Sequence, residues 1–429
     1  MQESVAVFLL IGLFAVMIIC HLPVTFAMVI ATATTMLYLN IPMMTMVQQM
    51  ANSVNSFSLL AIPFFILMGE IMGAGGISDR LLKFANVLVG RFRGGLAFVN
   101  VLASMFFGGI SGSAVADVSS LGKIEIPMME DAGYDKDFSI CVTVSSACQG
   151  LLIPPSHNMV LYAMTAGGVS VGKLFLAGYA PGILLGVALM ALCYIFAIKR
   201  NYPKGDPVSF KEALVITKDA VFAIGAMFII VGGVVAGLFT ATEAAAIGCI
   251  YCLLVATLVY RQLSLKDMGR ILYNTVKTLA MIYSLIAAAG AFAWMMAYLR
   301  IPAKFTGILM DVSDNKIVVL LLINVLLLLL GCIMDMAPLI LIMTPILLPV
   351  VQKFGMDPVQ FGIMLIANLA IGLLTPPVGS CLYAGCAVGD AKIEKVTKCM
   401  LPFYLTMVVV LLMITFIPAL SMTLPNLMM

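Results

Sequence analysis

Gly150-Leu151-Leu152-Ile153-Pro154-Pro155 recurs as Gly372-Leu373-Leu374-Thr375-Pro376-Pro377, 222 residues further along the chain. Working outward from this pair, the same register places Gly109 on Gly331, Pro127 on Pro349, Gly133 on Gly355 and Asp135 on Asp357. Paired prolines remove two backbone donors and clash with preceding carbonyls, so each stretch must interrupt a helix. A repeat with Gly/Pro-broken segments at matching places, in a strongly apolar chain, points to a secondary transporter and marks its binding site.

Composition sets the class. Hydrophobic residues make up 63% and charged residues 10%, against roughly 25% charged in a soluble domain. Many windows hold about 20 apolar residues, the length of a membrane-spanning helix. No basic residue precedes the first apolar run, so residues 5–19 read as a span and not as a cleaved signal. The 10 cysteines are scattered through apolar helices without metal spacing and read as small hydrophobes. His21 and His157 are too few for a histidine metal site. With a net charge of only +3, nucleic acid is not expected as a partner.

The expected fold is an all-α polytopic membrane protein. It comprises about ten transmembrane helices and two re-entrant hairpins, arranged as two inverted-topology repeats. Spans are expected at 5–20, 23–40, 57–74, 135–165 and 172–199, then at 219–238, 242–260, 275–297, 357–387 and 394–421. The first repeat covers 1–200, a cytoplasmic linker 201–216, and the second repeat 217–429. Residues 94–130 and 316–352 are apolar but broken in the middle, and the first carries Asp117, Lys123 and Glu125, which lipid tolerates only at a cost. Both read as re-entrant hairpins facing protein or water. Two ordinary spans each is the alternative.

Five crossings per half turn the second repeat upside down relative to the first. The linker carries Lys199, Arg200, Lys204, Lys211 and Lys218, which places it inside and both termini outside. All but five of the 23 basic residues then fall on the inner side. Residues 77–92 form an amphipathic helix at the inner surface, with a repeat partner at 299–311. They read either as arms carrying a mobile unit or as passive connectors.

Carbonyls freed at the two breaks need partners, and an alkali ion with hard oxygen ligands can supply them. Ser111 and Ser113 add hydroxyls at the first hairpin tip, and Thr375 adds one at the second break. Helix N-termini that start after the breaks favour an anionic substrate. The bland alternative is a pair of proline kinks with no ion.

Residues 107–117, Phe-Gly-Gly-Ile-Ser-Gly-Ser-Ala-Val-Ala-Asp, together with residues 372–379, Gly-Leu-Leu-Thr-Pro-Pro-Val-Gly, resemble the large membrane (M) subunit of tripartite ATP-independent periplasmic (TRAP) transporters. Residues 61–72, Ala-Ile-Pro-Phe-Phe-Ile-Leu-Met-Gly-Glu-Ile-Met, are similar too, and the resemblance runs nearly end to end. It implies a sodium-driven, elevator-type importer of organic acids such as sialic acids or C4-dicarboxylates, in the bacterial inner membrane. It also implies a separate four-helix Q subunit and a periplasmic substrate-binding P subunit. The family's first sodium site carries over to Ser111 and Ser113 with Gly150, Ile153 and Pro155. Its second carries over to Gly331 and Asp335 with Gly372, Thr375 and Pro377. Substrate is expected near Ser113, Asp117, Asn158 and Ser380, although Asp117 equally suits a helix cap.

A stand-alone sodium/carboxylate symporter remains open as an alternative. A channel would need a continuous polar pore, and an enzyme a nucleophile with its base. Neither pattern is present, nor is a glycine-rich phosphate loop of the P-loop kind.

Overall fold

A computed structural model describes residues 2–205 and 208–428, without the side chains at 109–111, 265 and 309. The chain is helical throughout the described residues. The first stretch runs α1 (Gln2–Ile19), α2 (Val24–Tyr38), α3 (Met43–Val54) and, after a short 3-10 turn, α4 (Ala61–Ala74) and α5 (Ile77–Val89). Then come α6 (Gly95–Ser111), α7 (Ala114–Ser120), α8 (Gly122–Asp131), α9 (Lys136–Gly150), α10 (His157–Ala166) and α11 (Val171–Lys199). The second half continues with α12 (Phe210–Val235), α13 (Ala241–Leu254), α14 (Leu265–Tyr298), α15 (Ile301–Val312) and α16 (Lys316–Gly331). It ends with α17 (Met336–Lys353), α18 (Pro358–Gly372), α19 (Ser380–Val388), α20 (Ile393–Phe416) and α21 (Pro418–Met428).

The 222-residue register is visible in the elements. α9 and α18 begin and end in register, and α11 and α20 begin in register at Val171 and Ile393. Gly133 and Gly355 both take positive φ, at 86° and 71°, and the Pro154–Pro155 and Pro376–Pro377 bonds are both cis. Glycine is required in the turns before α9 and α18 because a side chain disfavours that backbone region.

Packing divides the helices into two bodies. α1–α4 pack with α12–α14, while α6–α11 pack with α16–α21. α5 lies between them, against α12 of the first body and α6 of the second, and α15 similarly joins α14 to α17. The apolar face of α5, with Ile77, Leu81, Leu82 and Ala85 buried, supplies this double contact. Arg200 and Tyr202 both donate to Asp135, at 2.6 and 2.8 Å, and tie the end of α11 to the start of α9.

Eight helical segments are long and apolar enough to cross a membrane, and four shorter apolar helices accompany them. Several boundaries differ from the sequence expectation. α12 starts at Phe210, inside the expected linker, because Lys211, Glu212, Lys218 and Asp219 are helical as well as charged. α14 starts ten residues before the expected span at 275, with Ser264 and Asp267 forming a capping box at its foot. The last expected span, 394–421, divides at Ile417 before Pro418. α3 was not anticipated: its methionines and glutamines form an amphipathic helix packed on α14 and not a span. Residues 94–130 fold as α6, a break at Gly112, and a second arm divided between α7 and α8 at Leu121.

Candidate functional site

Each helix break sits against a hairpin tip, and glycine makes the approach possible. A Cβ on Gly150 would lie 2.6 Å from the Ser104 carbonyl oxygen and 2.9 Å from the Gly108 Cα. A Cβ on Gly372 would lie 2.6 Å from the Gly331 Cα. The residue facing Gly150 is therefore Gly108, one position before the Gly109 that the sequence register pairs with Gly331. At the tip, Gly112 has φ 62°, and a Cβ there would lie 2.3 Å from His157 Nδ1. The Asn158 side-chain amide donates to the Gly112 carbonyl at 3.0 Å, joining the tip to α10.

The two breaks expose carbonyls in the same pattern. The amide of Ile153 donates to Gly150 and that of Thr375 to Gly372, both at 3.0 Å. Beyond them, the carbonyls of Ile153, Pro155, Thr375 and Pro377 accept no hydrogen bond among the described residues. A membrane protein has few ways to leave such groups unpaired, and hard oxygen donors suit an alkali ion. The Thr375 hydroxyl donates to the Ile371 carbonyl at 2.9 Å, which leaves its lone pairs free to accept or coordinate. Ser111 lies outside the described side chains. Gly331 is the residue against which Gly372 packs. Asp335 caps α17, its Oδ1 accepting from the Met336 amide at 2.9 Å.

One cavity of about 1510 Å³ joins the two tips. Ser113, Asn158 and Ser380 line it from the second body, together with His157 and Asp335. The first body contributes Glu70 from α4 and Arg270 and Asn274 from α14, with Asn274 donating to Glu70 at 3.2 Å. Ser380 Oγ and His157 Nδ1 are buried from solvent and have no hydrogen-bond partner among the described residues.

Asp117 is not among the residues lining this cavity, and it is not the cap either. Ser113 caps α7, accepting from the Ala116 amide at 3.3 Å. Asp117 is 1% exposed and turns inward, beside Ser104 and towards Glu125. A four-residue spacing suggests one shared face, but Ser113 has the extended conformation of a cap (φ −128°, ψ 114°). Its side chain therefore does not share the helical direction of Asp117.

The sequence reading missed the opposite wall. Glu70 lies within the quoted 61–72 stretch, where an ionisable residue on an apolar helix is itself a signal. Asn274 and Arg270 carried no such signal, because their segment reads as a charged loop.

Residues 11–420 match the family described as "Tripartite ATP-independent periplasmic transporter, DctM component". The chain is 42% identical over 424 residues to "Uncharacterized protein YgiK" of Salmonella typhimurium, covering 98% of this chain and 97% of that one. It is 39% identical over 380 residues to "Sialic acid TRAP transporter large permease protein SiaM" of Vibrio cholerae, covering 89% of each. In fold it is similar to the solved YdaH transporter of Alcanivorax borkumensis, with a TM-score of 0.62, 16% identity and 88% of each chain covered. The broken helices, the paired hairpins and these relatives together make the chain a membrane transport protein, not an enzyme, and it belongs to the DctM-component family of tripartite ATP-independent periplasmic transporters.

Proposed function

We propose that this chain is a sodium-coupled importer of an organic acid anion, working with a small Q subunit and a periplasmic binding protein in the bacterial inner membrane. The observation that carries this reading is the pair of unpaired carbonyl sets, at Ile153 and Pro155 and at Thr375 and Pro377, each beside a hairpin tip. Sodium at each set, aided by Ser113 and Thr375, would hold a tip on its break. Both tips would then be set around an anion at Ser113, Asn158 and Ser380. The tripartite family supports the two partners, and a relative named for sialic acid supports the substrate class.

The distribution of basic residues supports a cytoplasmic linker and periplasmic termini. On that orientation Arg270 and Lys123, which line the cavity, would lie on the inner side and the cavity would open inward. The body holding α6–α11 and α16–α21 would move against the other body, with α5 and α15 as arms.

The chain, co-reconstituted with its Q subunit and supplied with binding protein, should accumulate sialic acid or a C4-dicarboxylate only under an inward sodium gradient. ATP should be dispensable. Equal uptake in potassium buffer would overturn the sodium assignment, and full uptake without binding protein would favour a stand-alone symporter. Ser113→Ala or Thr375→Ala should raise the half-saturating sodium concentration about tenfold, as expected for loss of one ligand to a charged partner.

A further inference from the structure

A second cavity, of about 570 Å³, lies between the arm α5 and α12, away from the transport site. Arg80 and Lys83 line it from α5. Val215, Ile216, Lys218, Asp219 and Phe222 line it from α12. Val215, Lys218, Asp219 and Phe222 fall at i, i+3, i+4 and i+7 on one face of the helix, with Ile216 beside them.

Its charges are unevenly matched. Arg80 bonds Asp219 at 2.9 Å and lies over the Tyr260 ring at 3.6 Å, so one cation and the one acid among the described lining residues are already paired. Lys83 and Lys218 have no ion pair among the described residues. Two uncompensated ammonium groups therefore flank a groove whose apolar members stay open, Val215 at 68% and Phe222 at 43% exposure. On the topology given by the basic residues, α12 rises from the cytoplasmic surface, so Phe222 lies one turn deeper in the bilayer than Lys218. Cations at headgroup level, with an apolar track leading inward from them, match one ligand chemistry: a phosphate diester joined to acyl chains.

We infer that this groove binds one anionic phospholipid, with its phosphate between Lys83 and Lys218 and an acyl chain along Phe222. The lipid would bridge the arm and the first body beside the Arg80–Asp219 pair. This site lies outside the ion and substrate sites proposed above and rests, for its headgroup level, on the orientation proposed there.

The test is native mass spectrometry of the full chain, loaded from vesicles of phosphatidylglycerol or of phosphatidylcholine. Wild type should retain one more phosphatidylglycerol than a K83Q/K218Q double variant, whose apparent affinity should fall about thirty-fold on the usual contribution of two surface lysines. A K83R/K218R variant keeps both charges and should retain the lipid. Phosphatidylcholine should not fill the site, and inorganic phosphate at millimolar concentration should not displace phosphatidylglycerol. Equal retention by the glutamine variant, loss in the arginine variant, equal binding of phosphatidylcholine, or displacement by free phosphate would each overturn the inference.

Discussion

At Asp117 and Glu125 the first hairpin buries two carboxylates, and 222 residues on, the second hairpin buries Leu339 and Leu347. The neighbouring helices follow suit. Asn100 bonds Thr143 at 2.7 Å and receives a bond from Ser146 at 2.6 Å. The second half has its own uncharged knot at other positions, in which Asn368 donates to Asn324 and Asn324 donates to Thr415. The breaks differ too: Ile153 and Pro155 are buried, whereas Thr375 is half-buried and Pro377 exposed. Glycine and proline thus fix a shared backbone while the interior chemistry is free to diverge. Among the described residues Glu125 has no hydrogen-bond partner for its carboxylate, and Asp117 has only the Ser104 hydroxyl beside it. That is costly in a buried site, and the second half shows that the fold does not require it.

The comparison breaks most sharply at Leu347. Leu347→Glu would place an unpaired carboxylate in an apolar position and should cost several kcal/mol. Thermal unfolding in detergent and the yield of folded protein would record the loss. A variant as stable as wild type would mean that the second hairpin is as permissive as the first.

Gly150→Ala and Gly372→Ala test what the halves share. Each Cβ meets backbone below 3.0 Å, so each variant should lose at least about 1–3 kcal/mol from overpacking. Similar losses in the two variants, seen as matched drops in unfolding temperature, are expected. A large loss at one site alone would show that only one break is close-packed.

Asn324→Leu leaves the buried Asn368 amide without its acceptor side chain and should cost about 1–3 kcal/mol. Asn100→Leu should cost a similar amount through Thr143 and Ser146. The same unfolding measurement separates these from a fully apolar packing, in which both changes would be silent. The smallest effect is expected for Glu125→Gln, which replaces a carboxyl that has no ion pair among the described residues. Stability within about 1 kcal/mol of wild type, or above it, is the expected result. A large destabilisation would show that the carboxylate is held by something beyond its protein neighbours.

What was legible in the sequence follows the same division. The breaks were readable because Gly150, Pro154 and Pro155 and their repeats restrict the backbone directly. The burial of the 94–130 segment was readable because Asp117 and Glu125 cannot face lipid cheaply. α3 was not, since Met43–Val54 mixes methionine with glutamine and asparagine and matches no span. The foot of α14 was hidden because Lys266, Asp267 and Arg270 look like loop, although its capping box fixes a helix start. Asp117 was misplaced because sequence spacing does not show that Ser113 is a cap. Gly108 replaced Gly109 because the first hairpin packs one residue out of the gapless register.

α14 has 34 residues, about 51 Å at 1.5 Å per residue, whereas the hydrocarbon layer is about 30 Å thick. The surplus lies at its polar foot, where Arg270 and Asn274 face the cavity. A solute leaving through that mouth would meet bulk water on one side while still sliding along a protein wall on the other. At physiological salt a charge is felt over about 8 Å. On the inward-opening orientation and the anionic substrate proposed above, the foot of α14 would extend the electric environment of the cavity past the edge of the lipid, and exit of the anion should then depend on ionic strength even where its binding does not.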